Sequence, residues 1–374
     1  MICNPRLKAA AAAVCLALLC GSAAAATSNG VVATIAVDKH TLGKADKAVV
    51  TVTITNTSST AQSVLKWHTP FGPEIEEALF DVTRDGLKVP YLGAHYKRPA
   101  PTAADYFLLK PGASYSMKLD LSSMYDMSVT GDYQVRYAAA ALDLFAPIAT
   151  QSMSARASKH EVGEIKSASL TLWIDGALPR GTLSQGQSID DMRKTAPGGG
   201  GGGGGAGLAF NKCTADQQSQ VTQALAAGSA MASDGDAYMS AGKTGPRYTK
   251  WFGAVDSGRV STIKAHFASL KDAFATKPVT VDCGCKKTYY AYVYPTQPYT
   301  IYVCKAFWTA PMTGTDSKGG TLVHEMSHFN VVASTDDWVY GQSGAASLAV
   351  SDPSKAIDNA DSHEYFGENT PAQQ

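Results

Sequence analysis

Pro197 is followed by an unbroken glycine run from 198 to 205. No packed element tolerates such a run, because no buried side chains offset the chain entropy lost on ordering it. It therefore reads as a flexible linker over 196–207. A length of 374 residues also exceeds what one compact core usually absorbs. Two separately built domains follow, over 27–195 and 208–374.

The first domain reads as β. Val31 to Val37 and Ala48 to Thr55 alternate β-branched with smaller or polar residues, and Asn56-Thr57-Ser58-Ser59 makes a turn. Phe80 to Thr83 runs into Arg84-Asp85-Gly86, a hairpin signal. Leu108 to Leu121 and Gly131 to Ala138 repeat the pattern, and 165–174 adds a last strand. Short strands at this spacing predict an immunoglobulin-like sandwich.

Beyond the linker the texture turns to α+β. Thr214-Ala215-Asp216-Gln217 is a capping box opening a helix toward Ala241. Gly258 to Ala275 carries an apolar stripe from Val260 to Phe274 at helical spacing. Val279 to Asp282, Tyr289 to Tyr294 and Thr300 to Cys304 read as short strands, Gly320 to Val332 as a helix, and Asp352-Pro353 as the start of another.

The first 26 residues read as an address. Arg6 and Lys8 precede a short apolar run from Ala9 to Cys20, and Ala23 to Ala26 offer small residues for cleavage. This is the pattern of a secretory signal peptide, too short for a membrane span. A lipid anchor on Cys20 is the rival, disfavoured by Leu19 where a small residue is wanted. Cys213, Cys283, Cys285 and Cys304 then remain in an oxidising compartment, which favours disulfides over a structural zinc site. Lys+Arg and Asp+Glu both number 32, so nucleic acid or an anionic membrane is not the expected partner.

The chemistry centres on His324-Glu325-Met326-Ser327-His328. Histidines four apart share one helix face and can point at one Zn²⁺, with Glu325 beside a metal-bound water. A catalytic zinc keeps three protein ligands and one open position. Val331 and Ser334 stand where a metzincin carries Gly and His, which excludes that class. Glu364 or Glu368, from another helix, or the pair Asp336 and Asp337 could supply the third ligand.

Together these residues resemble the deuterolysin-type aspzincin metallopeptidases, above all the peptidyl-Lys metalloendopeptidases. That family pairs His-Glu-x-x-His with Gly-Thr-x-Asp-x-x-Tyr-Gly, matched here by Ser334 to Gly341 with Ser334 in place of Gly. The likeness covers roughly 208–374, including Arg247 to Gly253, Ala291 to Pro295 and Thr313 to Ser317. It implies one zinc held by His324, His328 and Asp337, with Glu325 as the base and Tyr340 as the phenol stabilising the tetrahedral intermediate. It implies disulfides Cys213–Cys283 and Cys285–Cys304. Asp361 and Glu364, neighbours on a helix, are implied to bind the lysine ammonium of the substrate, giving cleavage on the amino side of Lys.

His40, His68, His95, His160 and His266 are scattered and read as structural or exposed, and His363 as packing beside the pocket. The tyrosine-rich segment 289–302 reads as a hairpin whose edge can pair with extended substrate. The β domain carries no catalytic constellation. It is expected to be a propeptide, an inhibitor or chaperone in cis, with self-cleavage before Lys194 or Lys212; a retained module that binds substrate or a cell surface, and a mere folding partner, are the rival readings, and the cleavable glycine tether favours the propeptide. The expected protein is thus a secreted, monomeric zinc endopeptidase acting on proteins or peptides. A broad-specificity zinc endopeptidase and a non-catalytic adhesin or toxin module are the alternatives.

Overall fold

The computed structural model describes residues 28–72, 74–146, 162–185 and 207–374. The expected signal peptide, the glycine run, His160 and Lys194 lie outside the described residues.

The first half is built of strands β1 (Val31–Val37), β2 (Thr41–Leu42), β3 (Val49–Asn56), β4 (Gln62–Leu65), β5 (Phe80–Arg84), β6 (Leu87–Lys88), β7 (His95–Lys97), β8 (Tyr106–Leu109), β9 (Ser114–Asp120), β10 (Gly131–Ala141), β11 (Gly163–Lys166) and β12 (Leu170–Ile174). β1, β3 and β9 form one antiparallel sheet. A second runs β2-β12-β10-β5-β6, with β11 also on β10. The β5–β6 hairpin turns where Asp85 and Gly86 both take positive φ, as a two-residue turn between twisted strands requires. β10 shows the expected period: Tyr133, Val135 and Tyr137 point into the core, while Asp132 and Gln134 face solvent. Val50, Val52 and Ile54 of β3 share that core with Tyr133, Val135 and Leu172, so the two sheets bury their apolar faces together. The segment 165–174, expected as one strand, is two, because Ser167 leaves the ladder to hydrogen-bond Tyr137 through both its amide and its Oγ.

The second half contains β13 (Leu208–Asn211), α1 (Ala215–Ser240), α2 (Pro246–Phe252), α3 (Ser257–Thr276), β14 (Val279–Asp282), β15 (Ala291–Val293), β16 (Thr300–Val303), α4 (Lys305–Thr309), α5 (Lys318–His328), α6 (Gln342–Ser351), α7 (Pro353–Ala356) and α8 (Ala360–Glu368). Thr214 and Gln217 cap α1 reciprocally, as the capping box predicts. Disulfides join Cys213 to Cys283 and Cys285 to Cys304. α1, α3, α5 and α8 pack on a sheet whose core includes Phe267, Leu322, Val323, Met326 and Phe366.

That sheet has the order β13-β14-β16-β15-β7. Its fifth strand, β7, belongs to the first half and pairs antiparallel with β15, setting Lys97 opposite Ala291 and Tyr96 opposite Tyr292. The edge expected to receive an extended substrate is therefore covered by the chain's own segment.

Candidate active site and metal centre

Ser317 caps α5 by accepting from the Gly320 amide, and all eleven residues of the helix are buried. The helix stops at His328 rather than continuing to Val332, because Phe329 leaves helical geometry with ψ 130°. The chain then doubles back. Ser334 adopts φ 55°, a left-handed conformation that costs an L-residue roughly 1–2 kcal/mol, which is why the family pattern has Gly there. Thr335 returns to the helix through its amide on the Ser327 carbonyl and a 2.6 Å hydroxyl contact with Ser327. This hairpin delivers Asp337 to the two histidines.

His324 Nε2 and His328 Nε2 are 3.1 Å apart. Asp337 Oδ1 is 3.3 Å from the first and Oδ2 is 3.5 Å from the second. Ligands bound tetrahedrally to zinc at about 2.0–2.2 Å are separated by roughly 3.3–3.6 Å; both His–Asp separations fall in that range and the His–His separation lies just below it, so this donor set fits the ion with a small opening of the two rings. The far ring nitrogens are held outside: His328 Nδ1 lies 2.8 Å from the Thr335 carbonyl, and His324 Nδ1 lies 2.8 Å from Asp361 Oδ1. Such partners fix the ring orientation of metal-ligating histidines. Both carboxylate oxygens of Asp337 and of Glu325 are buried without a hydrogen bond, as expected of groups arranged around an ion and its water. Burial opposes the charge on Asp337, but His328 and His324 hold its carboxyl well below the usual range. Burial pushes Glu325 up to about 8, where a carboxyl can both take and give a proton near neutrality.

The structure separates the alternatives for the third ligand. Glu364 approaches His324 from its Nδ1 side, away from the converging Nε2 atoms. Glu368 bonds the Ser317 amide and hydroxyl. Asp336 turns back to the Asp337 amide.

Tyr340 is buried, and burial raises its phenol well above the ordinary value, so it stays a hydrogen-bond donor. It donates to the Tyr96 carbonyl at 2.8 Å and accepts from Arg98 Nη1 at 3.0 Å. Asp361 and Glu364 lie one turn apart on α8, both buried. Between them sits Lys97, 1% exposed, with Nζ 2.5 Å from Glu364 Oε2 and 3.3 Å from Asp361 Oδ1. Asp316 approaches the same ammonium at 3.6 Å. Burial alone would discharge the amine, but Asp361, Glu364 and Asp316 outweigh it and raise its pKa well above normal.

The family model described as "Lysine-specific metallo-endopeptidase", the aspzincin family, matches residues 237–368. An "Extracellular protease" from Aeromonas hydrophila is 45% identical over 333 residues, covering 88% of this chain and 90% of that one. The chain belongs to the aspzincin metallopeptidase family. A "Peptidyl-Lys metalloendopeptidase" from Grifola frondosa is 33% identical over 335 residues, 87% of this chain and 88% of that one. One from Pleurotus ostreatus is 46% identical over 166 residues, 44% of this chain and 98% of that one. This aspzincin is thus a zinc-dependent metalloendopeptidase.

Several residues of the aspzincin site escaped the motifs. His95, expected to be structural or exposed, is buried with its ring centroid 4.9 Å from that of His328 and its Nδ1 3.6 Å from Asp336 Oδ1. Lys97 and Arg98 sit in a stretch without a recognisable motif. The only sequence hint was that a lysine stands in the leader half of an enzyme expected to select lysine. His363 is packing, as expected: its ring stacks on Phe267 and contacts His266 Nδ1 at 2.9 Å.

Proposed function

We propose that this aspzincin is exported as a latent proenzyme and, once processed, hydrolyses peptide bonds on the amino side of lysine. The observation that carries this reading is the seat of Lys97 between Asp361 and Glu364, with the preceding carbonyl on Tyr340. A protein that buries its own lysine ammonium in a carboxylate pocket beside a zinc-type donor set has a pocket matched to that side chain. The names of the Grifola and Pleurotus relatives support the same specificity.

In this reading His324, His328 and Asp337 hold one zinc ion. Zinc bound there supplies a Lewis acid and a water of lowered pKa. Glu325 takes the proton of the attacking water and passes it to the leaving amine. Tyr340 donates to the developing oxyanion, a contact of the kind worth ~3–4 kcal/mol of barrier. Asp361 and Glu364 bind the lysine ammonium, and Asp361 also orients His324. The β15 edge receives the substrate backbone that β7 now mimics.

The immunoglobulin-like N-terminal domain, 27–195, is then an inhibitor in cis, joined by the 196–207 linker to the catalytic domain, 208–374, and the protein works as a monomer. Residues 1–26 act as the signal for export, which the name of the Aeromonas relative supports. The Pleurotus protein, nearly all of which aligns to under half of this chain, supports a catalytic unit of that size. Lys212 stands between β13 and Cys213, so a cut before it would strip β13 from its pairing with β14. Processing before Lys194 or within the linker leaves the sheet whole.

Secreted wild type and Glu325→Ala, compared by intact mass and by hydrolysis of a lysine-containing peptide with and without chelator, test this. Wild type should be shortened and chelator-sensitive, and Glu325→Ala full-length and inactive. Lack of hydrolysis by processed wild type would sink the reading.

A further inference from the structure

The Tyr96–Lys97 peptide bond is held as a substrate bond would be. Its carbonyl accepts from Tyr340, its lysine fills the acidic pocket, and its strand pairs on β15. A bond so placed is a candidate for cleavage, and something must keep it from being spent.

Arg98, the next residue, is 1% exposed. Its Nη1 pairs with the buried Glu77, and its Nη2 donates to the Glu76 carbonyl at 3.2 Å. Its guanidinium lies 4.8 Å from the Trp67 ring centroid and 5.1 Å from those of Tyr96 and Tyr289. Glu76, Glu77, Trp67 and Tyr96 all belong to the N-terminal half. The residue on the leaving-group side is therefore fastened to the domain that carries it, not only to the enzyme.

We propose that Glu77 and Arg98 form a clamp that makes the Lys97 segment an inhibitor rather than a substrate, with Arg98 acting as a positioning residue. This rests on the reading of the lysine pocket above. Hydrolysis adds water across the Tyr96–Lys97 amide, leaving a carboxylate on Tyr96 and a new amine on Lys97. In an ordinary substrate the amine product departs. Here Tyr96 stays paired with Tyr292 while Arg98 is held by Glu77, so the two new ends remain opposed at high effective concentration and the bond re-forms. Without the clamp the Lys97 end leaves and the cut becomes permanent.

The test uses the full-length chain. Glu77→Gln, which keeps the volume and removes the charge, and Arg98→Ala are each followed by intact mass for a fragment beginning at Lys97. Wild type should keep the bond intact. Both variants should be cut there at least tenfold faster, and adding Glu325→Ala should abolish the cut. Folded variants that keep the bond as long as wild type would overturn the clamp. Cuts scattered over many lysines would also overturn it, because the pair would then hold the domain's fold rather than this bond. If the processed enzyme instead cuts peptides without lysine preference, the pocket reading fails, a result distinct from either.

Discussion

Lys97 Nζ lies 2.5 Å from Glu364 Oε2, and a second carboxylate partner, Asp361, is 264 residues further along the chain. An ammonium buried without such partners would cost several kcal/mol, so the two halves dock through a pair that neither can lose cheaply. Removing one member of a buried pair typically costs 3–5 kcal/mol. Lys97→Ala in a full-length, linker-intact chain should therefore raise the rate of peptide hydrolysis roughly a hundredfold or more. Initial rates before any processing, checked by mass, measure it.

Tyr340 and Glu325 separate binding from chemistry. Tyr340→Phe in the processed enzyme should lower kcat by about 10²–10³ with little change in KM, as loss of an oxyanion donor does. Glu325→Gln should lower kcat at least as far while leaving metal content unchanged, because Glu325 is not placed as a ligand. Steady-state kinetics beside elemental analysis of the same samples check both.

Asp336 and Asp337 are adjacent in sequence but face different partners. Asp337 meets both histidines, whereas Asp336 turns to the Asp337 amide and toward His95. Asp337→Ala should lose zinc and activity together. Asp336→Asn should keep about one zinc per chain. Chelation of wild type should lower its melting temperature, because an ion bound only by the folded state stabilises it. Elemental analysis and thermal melts on the same samples decide this.

Much of this centre was legible in the sequence because its chemistry is local. Two histidines one turn apart and a glutamate beside them are fixed by spacing, whereas spacing left Glu364, Glu368, Asp336 and Asp337 open as the third ligand and only the family likeness singled out Asp337. Asp361 and Glu364 share a helix face for the same reason. Strand alternation and the Thr214 capping box located most elements. The helix end at His328 was not legible, since periodicity runs on through Val332 while the Ser334 turn is a tertiary demand. The β7–β15 pairing was even less so: it joins residues far apart in sequence, and nothing local marks His95-Tyr96-Lys97 as the fifth strand of the other half's sheet. His95, Lys97 and Arg98 acquire meaning only from that pairing.

Asp143 gives a pH test outside the metal centre. Burial pushes its carboxyl from an ordinary 3.8 up to about 7, with the Asp361 charge adding to the rise and Arg98 opposing it. A raised carboxyl pKa means that the folded chain holds a proton the unfolded chain has released. Its contribution to stability is whole below the unfolded value and is lost as pH rises through about 7. Asp143→Asn should thus gain on wild type between pH 5 and 8, by on the order of 2 kcal/mol. Denaturant melts of both proteins at the two pH values measure the gap.

The central claim is that the pocket between Asp361 and Glu364 selects the residue after the cut. The most direct measurement is a map of every bond that the processed enzyme cleaves in a denatured protein, read by mass spectrometry. Cuts confined almost entirely to the amino side of lysine, and relaxed in Glu364→Gln, are the predicted result. Cuts showing no enrichment for lysine at that position would contradict it.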